Sequence, residues 1–127
     1  MAKTDQNATV YRGNRKVLRY TVTDEDNANA ALDITTYTIR WAATRTDASG
    51  NPIESGAVID LNTTDDPTQV VKITPASGVV DVTLLEADTT SLTPGTYYIE
   101  LEGVDASANS EVFAVGTLTI EPNIDNA

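Results

Sequence analysis

Leu92-Thr93-Pro94-Gly95-Thr96-Tyr97-Tyr98-Ile99-Glu100-Leu101 is the stretch that decides the fold class. Proline presets one backbone angle and glycine frees the next, so Pro94-Gly95 marks a turn. From Tyr97 onward the large apolar side chains Tyr97, Ile99 and Leu101 alternate with Tyr98, Glu100 and Glu102. A period of two sends successive side chains to opposite faces, which a half-buried strand requires and a helix does not. The same alternation recurs outward in both directions. Downstream, Val112, Ala114, Gly116, Leu118 and Ile120 alternate with Phe113, Val115, Thr117 and Thr119. Upstream, Val80, Val82 and Leu84 alternate with Asp81 and Thr83, and Tyr37, Ile39, Trp41 and Ala43 with Thr38, Arg40, Ala42 and Thr44. Leu18, Tyr20 and Val22 do the same against Arg19, Thr21 and Thr23. With weaker segments at Val10–Arg12, Val58–Leu61 and Val70–Ile73, the pattern predicts seven or eight strands. Their Thr, Val and Tyr content suits a pleated surface.

Turn chemistry separates these runs. The clusters are Asp24-Glu25-Asp26-Asn27, Asp47–Pro52, Asp65-Asp66-Pro67, Pro75–Gly78 and Asp105–Asn109. Asp47-Ala-Ser-Gly-Asn and Asp105-Ala-Ser-Ala-Asn are near copies with unrelated flanks, and both read as hairpin tips. One helical turn is expected at Leu85–Thr90, where Glu86, Ala87 and Asp88 break the alternation. Residues 1–6 and 122–127 read as polar tails around one domain spanning 7–121, with Pro122 ending the last strand. Short strands at close spacing point to an antiparallel β-sandwich, with a closed barrel as the alternative. The inward positions predict a core of Tyr20, Tyr37, Ile39, Trp41, Val82, Tyr97, Ile99, Leu101, Leu118 and Ile120.

Composition narrows the chemistry. A chain of 127 residues can bury a core without staples. Having no Cys and no His, it lacks disulfides, thiolate ligands, His-zinc sites and Ser-His-Asp or Cys-His catalysis. Carboxylates, Lys and Tyr remain available, but no enzyme is expected. The N-terminus has no apolar run of a signal peptide, and no stretch approaches the ~20 apolar residues of a membrane helix. A net charge of −11 argues against nucleic acid. That charge is unevenly placed. Residues 1–45 carry seven basic groups against five acidic ones, whereas residues 46–127 carry Lys72 against fourteen acids.

Pro94-Gly95-Thr96-Tyr97 resembles the Pro-Gly-x-Tyr run that enters the penultimate strand of immunoglobulin-like and fibronectin-like domains. There a Tyr near the strand start bonds backbone upstream, and Tyr97 holds the matching position. Trp41 matches the large aromatic of such cores. Adding Leu32-Asp33-Ile34-Thr35-Thr36-Tyr37-Thr38-Ile39-Arg40-Trp41, the Ala87-Asp88-Thr89 to Tyr97 segment and the Gly116-Thr117-Leu118-Thr119-Ile120 ending, the chain is similar to small immunoglobulin-like domains of tailed-phage structural proteins. The N-terminal domain of upper baseplate proteins is one such domain. The likeness spans residues 9–121, and Thr36 departs from it where the family carries Gly.

That resemblance implies an immunoglobulin-like sandwich serving as a non-enzymatic part of a virus particle, as a capsid-surface decoration, turret, tail or baseplate accessory protein. The partners expected are other virion proteins and further copies of itself, with assembly in the host cytoplasm. A host-surface adhesin binding glycan or protein is the alternative. No cofactor or catalytic residue is implied. The uneven charge has two readings: strands simply present charged solvent faces, or the basic start of the chain, Lys3, Arg12, Arg15, Lys16 and Arg19, docks on an acidic surface such as that of a sister copy. Asp24, Glu25, Asp26, Asn27, Asp105 and Asn109 could crowd one end as oxygen ligands for Ca²⁺. Their spacing is not that of a calcium hand, so no metal is expected. Glu100 and Glu102 share a wet face and read as solvated, and Tyr11, Tyr98 and Phe113 read either as outward aromatics suited to a sugar or protein contact or as aromatics packed against the tails.

Overall fold

A computed structural model describes residues 4–24, 28 and 30–124. The alternating segments form strands throughout: β1 (Ala8–Tyr11), β2 (Lys16–Thr21), β3 (Thr23–Asp24), β4 (Ala30–Ala31), β5 (Thr38–Thr46), β6 (Pro52–Asn62), β7 (Val70–Thr74), β8 (Val79–Leu84), β9 (Gly95–Val104) and β10 (Ser110–Glu121). One helical turn, α1 (Glu86–Thr90), lies between β8 and β9. Two of these ten strands, β3 and β4, flank the acidic cluster read as a plain turn, and they exceed the seven or eight expected. The protein is therefore all-β. Every pairing is antiparallel except β1 with β10.

The strands divide into a five-stranded sheet, β1-β10-β9-β5-β6, a three-stranded sheet, β2-β8-β7, and the small β3-β4 pair. Two hairpins build the larger sheet, and their tips are the near-copied pentapeptides. Asp47 Oδ1 accepts from the backbone N–H of Ser49 (2.9 Å) and Asn51 (3.0 Å), closing β5 onto β6. Asp105 Oδ1 accepts from Ser107 and Asn109 (both 2.9 Å), closing β9 onto β10. The fourth residue of each tip is left-handed, Gly50 at φ 82° and Ala108 at φ 64°. Glycine takes that conformation at little cost, whereas alanine is strained there.

Both larger sheets turn their apolar faces to one core. Ile39, Trp41 and Ala43 of β5, Ile99 and Leu101 of β9, and Leu118 and Ile120 of β10 pack in one cluster with Leu18 and Tyr20 of β2 and Val80, Val82 and Leu84 of β8. Trp41 is fully buried, and its indole N–H donates to the Tyr20 hydroxyl across the two sheets at 2.9 Å. Burial also pushes the Tyr20 hydroxyl pKa up. Tyr37 lies just before β5 and is only half-buried, its ring 5.6 Å from that of Phe113.

Phe113 does not face outward as the alternation predicted. The β9–β10 register shifts between Val112 and Ala114, and this bulge turns both Phe113 and Ala114 inward. Gly103 on β9 makes the room, because a Cβ there would run into the Phe113 ring. Ala42 is also buried although it occupies an outward position. Its strand is central, and Asp60 and Glu100 on the neighbouring strands stand beside it. The Thr35-Thr36 turn closes without glycine: Tyr37 N–H reaches the Ile34 carbonyl at 3.0 Å, and Thr36 has no positive φ.

Candidate functional site

Three of the expected basic residues, Arg15, Lys16 and Arg19, lie on or just before β2, an outer strand of the three-stranded sheet. The burial of β2 alternates strictly over Val17–Thr21, with Leu18 and Tyr20 inward and Val17, Arg19 and Thr21 exposed. Lys16 begins the strand and is exposed. Arg19 lies opposite Asp81 of β8, and its guanidinium makes a two-pronged ion pair at 2.7 and 2.8 Å. Hydrogen bonds from Arg19 hold the Asp81 carboxyl below its ordinary pKa, and the guanidinium is raised in return. Arg15, in the turn before β2, reaches Glu86 of α1 at 3.3 Å. The Glu86 pKa is lowered, first by its own backbone N–H and then by Arg15. Both arginines keep about three-fifths of their side-chain surface in water, at 61% and 62%. Pairs this exposed contribute little to stability, but they fix where the charge is presented.

Arg12 is half-buried at the end of β1, its backbone N–H bonded to the Glu121 carbonyl at 2.9 Å. It belongs to the strand junction more than to the β2 surface. Lys3 lies outside the described residues. The expected basic patch is thus an edge on which Arg15, Lys16 and Arg19 stand beside Glu86 and Asp81. Lys72, the one cation of the acidic part of the chain, is spent internally. Its ammonium donates to the carbonyls of Thr35 and Tyr37 (both 2.9 Å) and of Ile34 (3.4 Å), holding the chain as it enters β5.

An open groove of about 670 Å³ runs beside β2. Lys16–Tyr20 form one wall, and Asp5–Thr9 form the other. The second wall is held to β10 by a Gln6 N–H to Val115 carbonyl bond at 3.1 Å and by Asn7, whose side chain accepts from Thr117 N–H at 3.0 Å. Gly116 permits that approach, since a Cβ would strike the Gln6 backbone. Sequence reasoning missed Thr89, which is fully buried in α1 and accepts from the Gly13 N–H at 2.8 Å, tying the β1–β2 turn to the helix. Nothing in the alternation could have revealed it.

The acidic residues elsewhere bring no metal centre together among the described residues. Asp24, Asp105 and Glu111 lie near enough to Tyr37 to reinforce a rise in its hydroxyl pKa that burial begins. Glu25, Asp26 and Asn27 lie outside the described residues. Asp105 is occupied by its own loop, whose N–H groups lower its pKa. Glu100 and Glu102 are half-exposed on β9, near the Arg40 guanidinium, which pairs with Asp60 at 2.8 Å. Tyr11 is 57% exposed and Tyr98 half-buried, so these aromatics form no shared platform with the buried Phe113. No family model matches the chain, and no curated protein matches it.

Proposed function

We propose that this chain is an immunoglobulin-like sandwich acting as a non-enzymatic structural part of a tailed virus particle, held there by protein–protein contacts. The observation that carries the fold half of this reading is Tyr97. Its hydroxyl donates to the Thr93 carbonyl at 2.6 Å, at the turn where the resemblance expects a tyrosine corner. The strand order also supports it. A β10-β9-β5-β6 sheet facing a β2-β8-β7 sheet follows the G-F-C-C′ and B-E-D arrangement of variable-type domains, with β1 added parallel to β10. Trp41 then stands in strand C, as such cores have it.

The virion half rests on the likeness of residues 9–121 to phage structural domains, and β2 is the surface that fits it. Arg15, Lys16 and Arg19 stand on an exposed edge of a chain that carries −11 overall. Rim charges of this kind set on-rate and register more than final affinity. Antibodies raised against the purified chain should label tailed particles from the source lysate at repeated positions. Labelling confined to unassembled material would overturn the reading, and labelling of host envelopes would favour the adhesin instead. Reversing Arg15 and Lys16 to Glu should slow attachment to stripped particles and weaken its salt dependence while leaving the fold intact.

A further inference from the structure

We propose that the outer edge of β2 is a strand-addition site for a second copy of this chain, joined antiparallel and edge to edge so that two three-stranded sheets become one. Among the described residues, the backbone of Lys16–Thr21 bonds only to β8, so the other side of the strand offers unpaired N–H and C=O groups. An open row of this kind is a template for another strand. The groove beside it leaves about 670 Å³ for an incoming chain.

The outer strands are not alike. β6 breaks register with its neighbour at two points and begins with Pro52, and β7 breaks register once. Bulges and prolines blunt an edge against pairing. β1 is four residues long. β2 alone among these four runs six residues against its neighbour without a break, and it carries Val17 with 53% of its surface in water.

Charge selects the occupant. Two copies that each carry −11 repel over most of their surfaces. At β2 the local set is Arg15, Lys16 and Arg19 with Glu86, Asp81 and, on the facing wall of the groove, Asp5, three cations against three anions, so two acidic molecules meet there over a locally balanced surface. The side-chain pattern also fits itself. In the register that sets Leu18 opposite the other copy's Leu18, each Val17 lies opposite the other copy's Arg19. The aliphatic stem of that arginine covers the valine, and the two Arg19 side chains are not directly opposed. An interface one strand wide is small, so association is weak in dilute solution and effective where copies are crowded.

Sedimentation of the purified chain tests this. Its mass should rise reversibly from 13.5 kDa towards twice that value as the concentration approaches millimolar. Val17→Asp, at a half-exposed position, should abolish the rise while the thermal unfolding transition persists. Val17→Thr should retain it, and so should Ile73→Asp on the outer strand β7. Amide exchange of Lys16–Thr21 should slow with concentration in the parent and not in Val17→Asp. A chain that stays monomeric throughout, or a dimer that survives Val17→Asp, overturns the proposal. So does a dimer that Ile73→Asp disrupts. None of these results bears on particle labelling, so strand addition and the virion reading fail separately.

Discussion

At the scale of single residues, the buried polar contacts carry the most specific information. Trp41 brings a large ring to the core and one N–H that must be satisfied there, and Tyr20 satisfies it from the facing sheet. Removing one partner of a buried bond strands the other. Tyr20→Phe should therefore cost about 1–3 kcal/mol, read as a lower urea midpoint with an unchanged slope. Trp41→Ala removes the ring as well and should cost about 3–5 kcal/mol. If Trp41 fluorescence were as open to iodide as free indole, its burial would be wrong and both expectations would fall. Gly103 is the quieter counterpart. Nothing in the alternation marks it as special, yet a methyl group there meets Phe113, so Gly103→Ala should destabilise by forcing the ring outward.

At the scale of elements, the two hairpin tips form a natural experiment. The Asp-x-Ser-x-Asn pattern closes both loops with the same bonds, and only the fourth residue differs. Ala108→Gly should relieve left-handed strain, whereas Gly50→Ala should introduce it. The strain amounts to about 1 kcal/mol in each case, and the glycine's extra unfolded entropy offsets part of the gain at position 108. Thermal unfolding of the two single variants checks this: the shifts should have opposite signs, and like signs would show that the tips are not equivalent. These loops were legible from sequence because Asp and Asn close turns through bonds to backbone only two to four residues away. The bulge in β10 was not legible. Val112, Phe113 and Ala114 sit in an unbroken alternating run, and the register shift exists only against β9, where Gly103 leaves space.

At the scale of the whole molecule, carboxylates govern the response to pH. Asp33, Asp81, Glu86 and Asp105 all have pKa values lowered by hydrogen bonds, to Thr35, Arg19, the Glu86 backbone and the Asn109 backbone respectively. A group whose pKa is depressed on folding stabilises the native state above its unfolded value, and that contribution disappears as the pH falls through the folded value. Stability should hold from neutrality to about pH 5 and fall below about pH 4, where the unfolded carboxylates take up protons first. Relief of the −11 self-repulsion acts in the opposite direction. A higher urea midpoint at pH 3 than at pH 7 would show that repulsion outweighs the bonded carboxylates. The sequence by itself determined the all-β class, the hairpin tips and the inward face of most strands. Period-two alternation and turn chemistry are local, so they can be read within a few residues. Tertiary structure alone decided which strands lie outermost and which way Phe113 points. It also decided that Arg19 meets Asp81 and Arg15 meets Glu86, pairs 62 and 71 residues apart. Those outcomes depend on how separate strands come into register, and no single stretch of chain encodes that.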